Sequence, residues 1–159
     1  MKPKHLAVRI EQCLSLAKLS NCCRRQFGAL ILNPANNTIV GDGYNGNPRG
    51  ASGCLCGGKV CLRTEMKIVS GTQLQIGCHH AEFNAIANCA ANGVATAGMW
   101  LIVTGSCCLM CAKLIHHAGI VCVITLANRY STEEGMQYLK QHGVTIRYVN
   151  QDGLDEKWS

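Results

Sequence analysis

The chain is poor in aromatics, in charge and in proline. Aromatic residues make up 5% of its 159 residues, charged residues 15%, and there are three prolines. So few aromatics leave no evident platform for stacking bases, which argues against a nucleic-acid partner. So little charge is unusual on a small solvated monomer and points to surface hidden between copies, a homo-oligomer. No apolar run approaches the roughly 20 residues of a membrane span, so no membrane partner is expected. The opening stretch MKPKHLAVRIEQCLSLAKLS mixes charge into its apolar pattern. It reads as an amphipathic helix and not as a signal peptide, which sets the expectation of a cytoplasmic location, or a host cytoplasm for a viral chain. The formal charge of +6 is scattered, with Arg24–Arg25 the only adjacent basic pair. It reads as ordinary surface charge with a bias toward phosphorylated small molecules.

What the chain has in abundance is cysteine, twelve in all, within a composition that is 48% hydrophobic. A chain of this length builds a core without disulfide staples. In a reducing compartment, clustered cysteines then point to metal binding or chemistry. Apolar spacing predicts a helix over residues 4–19, strands at 27–32 and 38–44 joined by the turn NPANN, and a helix at 80–93 closed by Gly93. A strand at 99–105, a helix at 108–119, a strand at 120–126, a helix at 131–143 and a strand at 144–149 follow. Residues 46–77 are rich in Gly and Cys, lack periodicity, and are too long for an idle loop. The expected fold is α/β: one domain over 1–159, three-layer αβα, with a mixed five-stranded sheet covered by helices on both faces and this irregular insert at about 46–77. Cys13, Cys89 and Cys122 fall in apolar patterns and read as small core residues.

The stretch GSCCLMC, residues 105–111, carries a C-x-x-C (Cys108, Cys111) at a helix start, where the helix dipole favours thiolates. His80 and Glu82 form an H-x-E at another helix start, 25 residues before the C-x-x-C. One imidazole and two thiolates are three zinc ligands. The fourth position stays open for water, and Glu82 can face it. Each half is weak alone. Together, at two helix starts with a strand between them, they point to a catalytic zinc.

The stretches HAEFNAI, CLMCAKLI, FGALIL and GYNGNPRG resemble the zinc-dependent cytidine/deoxycytidylate deaminase superfamily, and its deoxycytidylate branch in particular, over residues 6–148. The resemblance implies the cytidine-deaminase-like fold and hydrolysis of dCMP to dUMP and ammonia, with dUMP feeding thymidylate synthesis. It implies catalytic zinc on His80, Cys108 and Cys111, with Glu82 moving protons. It implies Asn45 on the deoxyribose 3′-hydroxyl, Ala81 and the loop Thr104–Ser106 at the pyrimidine edge, and Tyr130 over the substrate. Arg24, Arg25, Lys113 and Arg129 are the candidates for phosphate. The family usually has proline before the first cysteine of C-x-x-C; Cys107 stands there and reads as a bystander to two ligands. The resemblance also implies a second, structural zinc on Cys22 and Cys54. Cys61 and Cys78 are the preferred remaining ligands, with Cys56, Cys23 and His79 as rivals. Finally it implies a hexamer activated by dCTP, with Mg2+, and inhibited by dTTP. The effector loop would contain Gly46, Asn47 and Arg49, with Asn84 nearby. Against these stand a deaminase of the same fold acting on a free nucleoside, another cytosine nucleotide or tRNA adenosine, a non-catalytic zinc module, and a thiol–disulfide enzyme.

Overall fold

The computed structural model describes residues 1–47, 60–69, 72, 76–126 and 133–155. Its elements run α1 (Pro3–Ala17), β1 (Gly28–Asn33), β2 (Thr38–Tyr44), α2 (Leu62–Glu65), α3 (Ala81–Ala91), β3 (Trp100–Val103), α4 (Leu109–His117), β4 (Cys122–Leu126), α5 (Glu133–Gln141) and β5 (Thr145–Val149). The expected succession is present. One short helix, α2, is added inside the segment expected to be irregular. Its four residues are too few to leave a periodic signal.

The strands form one sheet in the order β2-β1-β3-β4-β5. β1 and β2 make the expected antiparallel hairpin, with a register shift at Ile31/Leu32. β3, β4 and β5 are parallel. β1 is antiparallel to β3 as well. The chain crosses from β2 through α3 to β3 as a parallel unit, but β1 lies between the two, so the sheet is mixed.

Alternation along the strands sorts the core into two layers. Leu30, Leu32, Ile102, Ile124 and Val149 face α1, meeting Leu6, Ile10 and Cys13. Ala29, Ile31, Leu101, Val103 and Val123 face the other side, where Ile86, Ile115, Met136 and Leu139 of α3, α4 and α5 cover them. Burying one such aliphatic side chain stabilises by about 1.5–3 kcal/mol. Cys13, Cys89 and Cys122 lie in these layers, as their apolar settings suggest. Among the described residues no helix is long and apolar enough to cross a membrane.

Two features of the edge strand β2 position the site. The first is its small residues on the α3 side. A Cβ on Gly43 would lie 2.4 Å from Ala85 N and 2.6 Å from Ala81 O, so α3 rests directly on the strand backbone. The second is a pair of side-chain amides. Asn84 donates to Tyr44 O (2.8 Å) and Asn88 to Asp42 O (2.9 Å). Asn45 N–H bonds Phe27 O. By the antiparallel alternation, the carbonyls of Tyr44 and Asp42 therefore point away from β1, and α3 takes them up.

Candidate active site

Two helices begin at one place. His80 is the N-cap of α3 and Cys108 the N-cap of α4, both with extended backbone, φ −76°, ψ 157° and φ −70°, ψ 165°. Neither start has a side-chain cap bond. The free N–H groups and positive dipole ends therefore serve whatever collects there. Glu82 occupies the first turn of α3 and Cys111 the first turn of α4. Gly46 and His79 exchange backbone hydrogen bonds of 3.1 and 2.8 Å, which ties the loop after β2 to the residue before His80.

His80 Nδ1 lies 3.4 Å from Cys108 Sγ and 3.5 Å from Cys111 Sγ. All three donor atoms fall within 4.8 Å of one another, and no other such trio of His, Cys or acidic residues occurs among the described residues. On a tetrahedral zinc, a nitrogen at about 2.0 Å and a sulfur at about 2.3 Å stand about 3.5 Å apart. The spacing fits the ion.

The charges fit it too. A hydrogen bond from Cys111 is the main cause that pulls the Cys108 thiol down to about 4, against burial. The same contact, with burial, pushes the Cys111 thiol far up. Two thiols this close do not both ionise by themselves, and a divalent cation between them removes the conflict. The contact with Cys108 raises His80 against the effect of burial.

Glu82 is 5% exposed. Burial pushes its carboxyl up; the charge of His80, its own backbone N–H and the thiol of Cys107 pull it partly back. Sequence spacing missed that last contact. Cys107 is fully buried and lies outside the three-donor cluster; burial, with the Glu82 charge beside it, pushes its thiol up.

His80, Glu82, Cys108 and Cys111 open on a cavity of about 1190 Å³, whose wall also carries Arg24, Arg25 and Lys113. Arg63 is on the wall as well, with its guanidinium donating to Thr72 O (2.6 Å) and Ile76 O (3.3 Å). Ser106 lines the cavity, and Ala81 is the buried first residue of α3. Asn45 reaches the wall with both ends of its amide in use: Oδ1 accepts from Phe27 N–H (2.7 Å) and Nδ2 donates to Arg25 O (2.9 Å). Thr104 is brought elsewhere. Its hydroxyl accepts from Gly28 N–H (3.1 Å), extending the β1–β3 seam, and it is not part of the cavity wall. Asn84 lies beside the Gly46–Asn47 loop through its bond to Tyr44 O. Cys22, Cys61 and Cys78 all reach the cavity. A hydrogen bond with Cys78 pulls the Cys22 thiol down to about 5. Cys54, Arg49 and Tyr130, with Cys56 and Arg129, lie outside the described residues.

Fold and centre together define a metal-dependent α/β enzyme site with a buried carboxyl beside a three-donor cluster. The family model for the cytidine and deoxycytidylate deaminase zinc-binding region matches residues 4–127. The chain is 36% identical over 145 residues to ComE operon protein 2 of Bacillus subtilis, covering 87% of this chain and 68% of that protein. It is 31% identical over 140 residues to deoxycytidylate deaminase of Schizosaccharomyces pombe, covering 87% of this chain but 42% of that one. The crystal structure of dCMP deaminase from the cyanophage S-TIM5 in complex with dCMP and dUMP superposes with a TM-score of 0.77 at 26% identity, covering 94% of this chain and 99% of that one. The chain belongs to the cytidine and deoxycytidylate deaminase family and has its fold. Zinc is the metal that this donor set and this family specify.

Proposed function

We propose that the chain hydrolyses dCMP to dUMP and ammonia, with His80, Cys108 and Cys111 holding zinc and Glu82 carrying protons. The convergence of that trio and a buried carboxyl on one cavity is the observation that carries it. Zinc so held supplies, when bound, a water acidic enough to be a nucleophile near neutral pH. Glu82 accepts the proton that the attacking water gives up. It passes that proton to the ring nitrogen beside the amino-bearing carbon, then takes the second proton of the same water from the hydroxyl now on that carbon and delivers it to the amino group, which leaves as ammonia. The water oxygen stays on the ring carbon as the new carbonyl. Burial raises the Glu82 carboxyl toward the range in which it both takes and returns a proton.

A phosphorylated substrate is supported by Arg24, Arg25 and Lys113 on the cavity wall. Its identity as dCMP is supported by the S-TIM5 enzyme, solved with dCMP and dUMP, and by the name of the fission-yeast relative. Asn45 is the proposed partner of the deoxyribose 3′-hydroxyl, since an amide engaged once at each end keeps a second N–H and a second lone pair. Ala81 N–H and Ser106 would meet the pyrimidine edge. Ammonia release from dCMP, with deoxycytidine, cytidine and CMP in parallel, tests this. Strong preference for dCMP is expected. Turnover of the nucleosides alone would move the activity to another branch of the family.

The second zinc is proposed on Cys22, Cys54, Cys61 and Cys78. The Cys22–Cys78 contact supports it, together with Cys61 on the same cavity. Such a closed four-ligand site orders the segment it ties down. Two zinc ions per chain are the expected result of metal analysis, and one per chain overturns it. Control by dCTP with Mg2+ and by dTTP at the Gly46–Asn47 loop, a hexamer, a cytoplasmic location and a role in supplying dUMP for thymidylate synthesis complete the proposal. The low charge of the chain favours the oligomer.

A further inference from the structure

We infer that His116 and His142, held by Tyr138, form an open two-imidazole site for a divalent ion of the nickel, copper and zinc group. The site lies where α4 and α5 end. Neither histidine lines the active-site cavity, and nor does Tyr138.

His116 stands in the last turn of α4, and His142 directly follows the last residue of α5. Their ring centroids are 4.8 Å apart and the rings are tilted by 48°. Two imidazoles on one ion, with nitrogens at about 2.0–2.1 Å, place their centroids roughly 4.5–5.2 Å apart, from a right-angled to a tetrahedral arrangement. The two rings already stand at that spacing. The carbonyl ends of two helices converge there as well, and their partial negative charge favours a cation.

Tyr138 orients both rings. The His142 ring stacks on it with centroids 4.0 Å apart, and His142 Nδ1 lies 2.8 Å from Tyr138 O. A carbonyl only accepts, so Nδ1 carries the proton and the neutral ring keeps its lone pair on Nε2. His116 Nδ1 lies 3.2 Å from the Tyr138 hydroxyl, the two rings meeting edge to face. A hydroxyl accepts as well as donates, so an ion on His116 Nε2 selects the tautomer whose Nδ1 donates to Tyr138. Metal-binding histidines almost always have the second nitrogen engaged in this way, which fixes tautomer and ring direction. Tyr138 in turn packs against the core, so the platform is anchored.

His142 is exposed and His116 half-buried, which leaves the pair open to ions and water. No third His, Cys or acidic donor among the described residues completes a trio with them, so water takes the other positions. Imidazole nitrogens suit nickel, copper and zinc, whereas magnesium and calcium prefer oxygen. His117 has its ring 5.5 Å from that of His116, but it lines the active-site cavity instead.

The test titrates nickel into the zinc-loaded protein by equilibrium dialysis, with both metals counted on the same sample. Wild type should take up about one nickel per chain without losing zinc, and should show no thiolate-to-nickel absorption. His142→Gln and His116→Gln should each weaken nickel binding by more than about tenfold, and His117→Gln by less than about twofold. Tyr138→Phe keeps the stacking ring and the backbone carbonyl but loses the hydroxyl; it should weaken nickel binding roughly tenfold. Absent uptake by wild type, nickel that stays in both histidine variants, or nickel that enters only in exchange for zinc overturns the site. Unchanged affinity in Tyr138→Phe overturns its arrangement around Tyr138. No step of the test uses dCMP, so the result is independent of the substrate.

Discussion

Glu82→Gln should lower dCMP turnover by about a thousandfold while zinc content and thermal stability stay near wild type. Gln keeps the length and shape of Glu but carries no proton at neutral pH. Positioned general acid–base groups contribute about 10²–10⁴ in rate, and here one carboxyl serves two proton deliveries, which keeps the loss away from the lower end of that range. The side chain lies outside the trio of His80, Cys108 and Cys111, so the metal should remain. Removing a buried ionisable carboxyl also removes a desolvation cost, so stability should hold or rise slightly. The measurements are single-substrate kinetics and metal analysis on the same preparation. Turnover within a few-fold of wild type would dismiss Glu82 as the proton carrier. Loss of zinc would make it a holder of the metal centre instead.

Gly43→Ala should destabilise the fold by about 3 kcal/mol, since overpacking a tight contact costs about 1–3 kcal/mol and here the obstacle is backbone. The added methyl would meet Ala85 N at 2.4 Å and Ala81 O at 2.6 Å. No side-chain rotation relieves that, so α3 must lift from β2, taking His80 and Glu82 with it. Thermal unfolding should drop by roughly 6–12 °C, with weaker retention of zinc against a chelator. Gly93→Ala is the control. Gly93 has φ +67° and nothing within 4 Å of the added carbon, so its cost is backbone strain alone, about 1 kcal/mol, without loss of metal. If Gly43→Ala unfolds no earlier than that control, close packing of α3 is not what places the two residues.

Much of this was legible in the order of residues. β2 spans the predicted 38–44, and the helices and remaining strands fall within a few residues of their apolar patterns, because period-2 and period-3.6 spacing survive whatever the tertiary arrangement. The trio was legible for a related reason: His80, Cys108 and Cys111 each sit in or beside the first turn of a helix, where short sequence distances fix direction. Contacts between loops were not legible. That Cys107 faces Glu82, or Cys22 faces Cys78, depends on which way a non-periodic backbone turns, and no spacing encodes it. Thr104 shows the limit from the other side. It stands in the loop expected at the pyrimidine, yet its hydroxyl prefers the Gly28 N–H that the end of the sheet leaves open. The antiparallel neighbourhood of β1 and β3 also escapes local pattern, since it is a matter of which strand is inserted where.

The amides on α3 bear on how copies of the chain can meet. An edge strand with open carbonyls is an invitation to foreign strands, and thus to runaway association. At β2, Tyr44 O and Asp42 O are already taken by Asn84 and Asn88. At the opposite border, beside β5, Asp155 forms a bridge with Val149 and pairs with Arg147 at 2.9 Å. Both margins of the sheet are hemmed. Growth by adding a sixth strand is disfavoured at these positions, which turns any contact between copies there toward helix faces and loops.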